Sequence, residues 1–161
     1  MIRAGSPNDK FMRQIFVSVD ITGSLAWWKE MDQYKVGTVT DSCSTMHKIA
    51  SEPITLDSFE QNGFTDVNLG DSLRVGMIWE HLIHSLEELR LEYKETKDIK
   101  YWRELIRLLP ESYLQKRTWT ANYAVIRSIC KQRKGHKLIS WKDFEEWAKK
   151  LPYAEELIFI D

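Results

Sequence analysis

The chain of 161 residues has the length of one ordinary domain. Its 43% hydrophobic residues and seven tryptophans exclude an intrinsically disordered protein, because they supply enough apolar surface to form a core. A formal net charge of -1 argues against a nucleic-acid coat protein, and no apolar run approaches the ~20 residues of a membrane-spanning helix. We expect a single domain over residues 1–161, with a flexible start over residues 1–10. The start has no apolar signal-peptide region, so we expect a cytoplasmic protein.

The first elements combine one strand with one short helix. Alternating polar and β-branched residues predict a strand over Arg13–Asp20. Thr22 or Ser24 can cap a helix over Leu25–Tyr34, whose two adjacent tryptophans we assign to the core. An extended segment over Lys35–Asp41 follows.

The middle of the chain is predicted to be helical. Ser42–Ala50 can form a helix, and Asp71 or Ser72 begins the longest one, in which apolar residues recur three and four positions apart. Asp98 can cap the next helix, which ends near Pro110 because proline disfavours helical backbone in the residue before it.

The last third of the chain begins with a strand. Lys116–Ala121 has strand character, and Asn122 is a good N-cap for a helix that stops around Gly135. Ser140 resembles the first residue of a capping box for a last helix, closed by Pro152. Together the elements predict an α+β fold, dominated by helices, with a small, mostly antiparallel sheet.

Charge is strongly segregated along the chain. Residues 100–142 contain eleven basic and two acidic residues, a net charge of +9, which leaves -10 for the rest. Within this segment a strand runs into the helix that Asn122 caps, and helix N-termini are favourable places for anions. Arginine and lysine beside such an N-terminus favour a phosphate ligand, on which aromatic rings could stack a base. The candidate ligand-binding residues here are Lys116, Arg117, Trp119, Asn122, Tyr123, Arg127, Lys131 and Arg133. The alternative is that these cations neutralise the acidic longest helix.

Catalytic and metal-binding patterns are weak. No cysteine or histidine spacing indicates a metal site, and Cys43 and Cys130 are interpreted as reduced packing residues. Asp41 and His47 are the candidate catalytic residues if the protein is an enzyme, although capping by Asp41 explains much of their neighbourhood. We therefore favour a non-catalytic protein.

Part of the chain resembles a known family. Leu109-Pro110, the stretch Thr118–Asn122 and Arg133 are similar in type and spacing to the C-terminal half of flavin-dependent thymidylate synthases. Ser44 lies where that family has its signature loop, which makes it a further candidate ligand-binding residue. The resemblance implies a thymidylate-synthase-complementing-like fold and a homo-oligomer, typically a tetramer, with nucleotide sites between subunits.

The chain also departs from the family's motifs. The family's Arg-His-Arg cluster has no counterpart between residues 34 and 44, and Ala124 stands where the family has an arginine that holds deoxyuridylate. Arg127 is one helical turn further on and could replace that cation. We therefore expect no cofactor and do not favour FAD.

These observations lead to one principal functional hypothesis. The chain is interpreted as a non-catalytic nucleotide-binding protein, and the segments Val36–Val39 and Ser42–His47 are similar to those of small phage-encoded proteins. In a phage, such a protein could sequester a nucleotide immune signal of the cyclic-dinucleotide or ADP-ribose type. The alternatives are a divergent FAD-dependent thymidylate synthase, a nucleotide-hydrolysing enzyme, or a module that binds protein or nucleic acid. We expect neither membrane nor nucleic acid as a partner.

Overall fold

The computed structural model describes residues 8–42, 48–61, 66–70 and 74–160. A 3₁₀ helix over Asp9–Gln14 comes first, and a second one covers Leu56–Ser58. The strands are β1 (Phe16–Ser24), β2 (Thr38–Ser42) and β3 (Leu114–Asn122). The helices, in chain order, are α1 (Leu25–Met31), α2 (Val75–Thr96), α3 (Ile99–Leu108), α4 (Tyr123–Arg133), α5 (Ile139–Ala148) and α6 (Ala154–Leu157).

The chain divides into two compact units. The first combines Met1–Ser42 with Lys116–Asp161, and the second is Cys43–Gln115. The first unit holds a three-stranded antiparallel sheet in the order β1-β3-β2, in which Val39 of β2 lies opposite Thr120 of β3. With 52% helix beside this small sheet, the predicted helix-dominated α+β fold is confirmed.

An aromatic cluster forms the core of the first unit. The rings of Trp27 and Trp28 meet edge to face at 4.8 Å between centroids, and Trp27 lies 5.1 Å from Trp141. Both adjacent tryptophans are buried, as the sequence predicts. Ser24 positions them by capping α1, since its hydroxyl accepts a hydrogen bond from the Trp27 backbone N–H at 3.3 Å.

The second unit is built on α2 and α3, whose buried residues include Leu86 and Leu105. Arg90 of α2 is also buried, and its guanidinium donates to both carboxylate oxygens of Glu87 and to the Ala50 carbonyl. The Arg90 hydrogen bonds lower the pKa of Glu87. A buried charge is tolerated here because it is paired and fully hydrogen-bonded.

Two predicted element boundaries are wrong. The first strand begins at Phe16 rather than Arg13, because Asp9–Gln14 forms a 3₁₀ helix that buries Met12. The predicted last helix corresponds to α5, which begins at Ile139 with Leu138 as its N-cap, so Ser140 lies inside the helix and does not cap it. The predicted caps Asp98 and Asn122 are confirmed, each by a side-chain hydrogen bond to a backbone N–H.

Other predictions concern residues outside the described ranges. The proposed helix over Ser42–Ala50 includes residues 43–47, and Asp71 and Ser72 lie just before the first described residue of α2. The described part of the longest helix begins at Val75.

Candidate functional site

The cations predicted to bind a ligand are mostly engaged in ion pairs within the first unit. The carboxylate partners in these pairs lie on the first 3₁₀ helix, on β1, and on α1 and at its end. The pairs are Lys116–Asp20 at 2.8 Å, Arg117–Asp32 at 3.0 Å, Arg127–Asp9 at 3.4 Å and Arg133–Glu30 at 2.8 Å.

Two of these arginines are also held against aromatic rings. The Arg117 guanidinium lies 4.5 Å from the Trp28 ring centroid, and the Arg133 guanidinium lies 4.6 Å from that of Trp141. Their side chains are only 16% and 18% exposed. Cation–π stacking and a carboxylate partner together fix each guanidinium in place.

Glu30 is the centre of the second of these arrangements. Its Oε2 atom accepts hydrogen bonds from Arg133 Nη1 and from the Trp141 indole N–H, both at 2.8 Å. His136 Nε2 lies 3.6 Å from the same oxygen, and Arg133 Nε donates to the Tyr34 hydroxyl at 2.8 Å. The contacts give Arg133 a structural role in joining α1, α4 and α5.

The predicted base-stacking residues lie in the core. Trp119 is 1% exposed and Tyr123 is 3% exposed, and the Tyr123 hydroxyl donates to the Pro152 carbonyl at 2.8 Å. Burial raises the pKa of Tyr123. Trp119 and Tyr123 are therefore core residues, as Trp27 and Trp28 are.

The remaining predicted residues are dispersed. Lys131 is exposed on α4, and Asp41 is exposed on β2, where it lies opposite Thr118. Ser44 and His47 lie outside the described residues. Asp41 therefore has no described catalytic partner at its side.

A cleft of about 510 Å³ lies at the N-terminus of α4. Its polar lining comes from Arg13, Gln33, Lys35, Asn122 and Ser128, and its apolar wall from Tyr34, Val36, Ala124 and Val125, with Gly37 beside them. Of the predicted ligand-binding residues that the structure describes, only Asn122 lines it. The volume falls within the ~300–1,000 Å³ that small-molecule sites usually enclose.

The side chain of Asn122 is oriented by its role as the N-cap of α4. Its Oδ1 atom accepts a hydrogen bond from the Val125 backbone N–H at 3.1 Å, which leaves the Nδ2 amide as the free end. The residue is 7% exposed and lines the cleft. Within the described ranges no acceptor is bonded to Nδ2. The amide therefore opens to the cleft, where it can donate to an acceptor oxygen of a ligand.

The electrostatic environment of the cleft is positive. Arg13 and Lys35 are exposed, and no carboxylate is among the described residues that line the cleft. The N-terminus of α4 adds a partial positive charge, because the peptide dipoles of a helix sum along its axis. Two cations, the helix N-terminus and the Asn122 amide therefore line one space that suits an anion.

The wall that carries Lys35 is ordered by local hydrogen bonds. The Tyr34 backbone N–H donates to the Met31 carbonyl at 3.0 Å, and the Thr38 hydroxyl donates to the Tyr34 carbonyl. The Tyr34 ring is anchored in turn by Arg133. These hydrogen bonds hold the wall of the cleft in place, which reduces the entropy cost of binding a ligand.

A second cleft, of about 590 Å³, lies in the second unit and has the opposite character. Its lining includes Glu80, His84 and Glu87 beside Trp79 and Ile83, and neither lysine nor arginine. Glu87 is already engaged by Arg90. This lining does not fit a phosphate.

Sequence reasoning missed Arg13, Lys35 and Gly37. Arg13 and Lys35 lie outside the basic segment of residues 100–142. Between them the chain forms β1 and α1, which bring it back to the same cleft. The one available indication was the N-cap Asn122, which the sequence correctly placed at a helix start.

Membrane-spanning helices and metal sites are two other features that a chain of this kind could contain. No helix among the described residues is both long enough and apolar enough to span a membrane. Nor do the described ranges bring together three or more side chains that could hold a metal ion.

Comparison with solved structures identifies the fold. The chain superimposes on thymidylate synthase X from Helicobacter pylori with FAD and dUMP at a TM-score of 0.61 and 16% identity, covering 91% of this chain and 72% of that one. A second structure, the flavin-dependent thymidylate synthase of Helicobacter pylori complexed with FAD and dUMP, gives a TM-score of 0.58 and 15% identity over 94% and 82% of the two chains. No protein-family model and no curated protein matches.

The chain therefore has the fold of flavin-dependent thymidylate synthases, and the predicted resemblance is confirmed at the level of fold. The prediction about cofactors is wrong. Both structural neighbours are complexes with FAD, which contradicts the expectation that this protein has no cofactor.

Proposed function

We propose that this protein binds a phosphate-bearing nucleotide, with flavin nucleotides among the ligands, in the cleft at the N-terminus of α4. The observation that carries the proposal is the Asn122 amide, which opens into a cleft with two cations and no described carboxylate. Each of these features is favourable for an anion, and together they satisfy the several oxygens that a phosphate presents.

The three kinds of donor have different chemical roles. Arg13 can bind two phosphate oxygens at once through its planar guanidinium, and Lys35 supplies a mobile point charge. The Asn122 amide is rigid, because its other end caps the helix. Its N–H donors would fix the position of the phosphate, and the apolar wall at Val36 and Val125 is suited to the rest of the nucleotide.

The structural neighbours support the same class of ligand, since both are complexes with FAD and dUMP. The donor set of the cleft fits the phosphate groups of either compound. A bound flavin would supply hydride-transfer chemistry. Arg13, Lys35 and Asn122 are the residues that would hold its phosphates.

A thermal-shift and calorimetric titration tests the proposal. We expect dUMP or FAD to raise the melting temperature, and deoxyuridine, which lacks the phosphate, to have no effect at the same concentration. The R13A and K35A variants should each weaken binding about tenfold or more, since a hydrogen bond to a charged group contributes about 1.5–3 kcal/mol. Binding of deoxyuridine as tight as that of dUMP would contradict the role of the phosphate.

Matched charge variants locate the site. Lys142 is exposed on α5 and does not line the cleft, so K142A removes one positive charge without touching the site. It should bind as wild type does. Loss of binding in K131A with normal binding in R13A would instead favour a site among the basic residues of segment 100–142 that the sequence predicts.

Asn122 can be tested without losing the helix cap. Serine and aspartate both cap helices well, but serine lacks the amide donors and aspartate adds a negative charge. N122S should therefore weaken dUMP binding with little loss of stability, and N122D should weaken it further. Unchanged affinity in both would remove Asn122 from the site.

The finer predictions from the sequence are tested by extending the same titration. A cyclic dinucleotide and ADP-ribose test the sequestration of an immune signal, which stays a prediction. Nucleic-acid binding would show affinity that falls steeply with salt, unlike that of a ligand held by two cations. Light scattering of the purified protein tests the predicted homo-oligomer.

A further inference from the structure

Gly37 occupies a special position beside the Asn122 amide. It directly precedes β2, whose first residue Thr38 pairs with Ala121, so the register of the two strands brings Gly37 next to Asn122. Its backbone has a φ of +77°, a left-handed conformation that glycine adopts readily and other residues adopt at a cost. Both the position and the conformation favour glycine.

The missing side chain leaves a specific space open. A Cβ atom on Gly37 would lie 3.2 Å from Asn122 Nδ2 and 3.2 Å from Val125 Cγ2. Both distances are shorter than the 3.4–4 Å of ordinary van der Waals contact. Asn122 cannot easily move away, because its Oδ1 is bonded to the Val125 N–H and its side chain is 7% exposed.

We propose that Gly37 is the residue that gives a ligand access to the Asn122 amide, and so determines which anions the cleft accepts. The inference rests on the proposed nucleotide site and adds a specificity-determining residue to it. The space that a Cβ would fill is the space through which a phosphate oxygen reaches Nδ2. A methyl group there covers the donor while leaving Arg13 and Lys35 in place.

The chain offers a matched control for the backbone. Gly135 has a φ of +72°, nearly that of Gly37, but a Cβ there would meet nothing within 4 Å. G135A therefore introduces the same backbone strain without the same contacts. Gly135 follows the C-terminal end of α4 and does not line the cleft.

The experiment compares dUMP binding by wild type, G37A and G135A by isothermal titration calorimetry. We expect G37A to weaken binding at least tenfold and G135A to remain within twofold of wild type. Equal affinity of G37A and G135A, with binding by wild type intact, would overturn the role of Gly37 and leave the nucleotide site standing. Absence of binding by wild type would overturn both.

A second pair of variants covers the case in which G37A does not fold. V125A removes the Cγ2 atom, so in the double variant G37A/V125A the added methyl keeps only its contact with the Asn122 amide. We expect the double variant to bind dUMP at least tenfold more weakly than V125A alone. Equal affinities of these two proteins would refute the proposal.

Discussion

Replacing Glu30 by alanine tests whether the predicted ligand-binding residue Arg133 is structural. Glu30 Oε2 accepts from Arg133 Nη1 and from the Trp141 indole N–H, both at 2.8 Å. Trp141 is 2% exposed and the Arg133 side chain 18% exposed. In place of the carboxylate, the Trp141 indole N–H has no ready access to water and the Arg133 guanidinium has little.

The magnitude follows from these two bonds. A hydrogen bond to a charged group contributes about 1.5–3 kcal/mol, and the lower end applies to Arg133, which keeps some contact with water. We expect E30A to lower the free energy of unfolding by about 3 kcal/mol. For a chain of this length that corresponds to a fall in melting temperature of roughly 6–12 °C. E30Q, which keeps an acceptor oxygen, should lose about 1 kcal/mol.

Urea unfolding followed by circular dichroism at 222 nm measures these differences. A double-mutant cycle with R133M isolates the Glu30–Arg133 interaction, and contacting residues should show a coupling of about 0.5–3 kcal/mol. A loss below about 1 kcal/mol in E30A, or additive effects in the cycle, would refute the structural role of this pair.

Three further predictions concern other parts of the molecule. R90M should lower the free energy of unfolding by about 2–3 kcal/mol, because it leaves the Glu87 carboxylate with the Ile54 N–H and without its cationic partner. Hydrogen bonds from Arg90 lower the folded pKa of Glu87, so its contribution to stability is present above its ordinary pKa of 4.5 and is lost as the pH falls through the lowered value. Acid titration of stability should show this loss in wild type and a smaller one in R90M. Burial raises the pKa of Cys130 to about 12, so in a C43S variant its thiol should react with a disulfide reagent at pH 8 only after urea unfolding. G23A should cost about 1–3 kcal/mol in thermal unfolding, because its Cβ would lie 2.8 Å from the Trp27 ring; a cost near zero would contradict the packing described.

The features that sequence reasoning predicted correctly depend on neighbours in the chain. Ser24 and Asn122 cap helices through hydrogen bonds to residues three positions away, and such contacts follow from local residue types. Burial of the Trp27 and Trp28 rings follows from their apolar surface. The strand start failed because packing of Met12 in the core favoured a 3₁₀ helix over the local strand pattern.

The ligand site could not be predicted in the same way, because distant carboxylates neutralise most of the cations that the sequence nominated for it. Arg117 pairs with Asp32, which is 85 positions away, and Arg127 pairs with Asp9 across 118 positions. Counting charge along the chain separates these partners, whereas folding brings them together. The net charge of +9 in residues 100–142 therefore overstates the free positive charge, because Lys116, Arg117, Arg127 and Arg133 are paired with carboxylates from outside that segment.

Substitution of Ala124 tests both the family resemblance and the proposed binding of phosphate in the cleft. The residue lines the cleft in the first turn of α4, where the resembled family has an arginine, and the suggested replacement Arg127 is instead paired with Asp9. In the proposed site Arg13 and Lys35 supply the positive charge, so a third cation should strengthen phosphate binding.

We therefore expect A124R to bind dUMP about tenfold more tightly than the length-matched A124Q, as one added charged hydrogen bond would give. A cation in the first turn opposes the helix dipole, so A124R should also lose about 0.3–1 kcal/mol of stability without ligand. Calorimetry and urea unfolding measure the two effects. If A124R gained affinity for deoxyuridine as much as for dUMP, the gain would not depend on the phosphate. That result would show that the cleft contacts the base and not the phosphate.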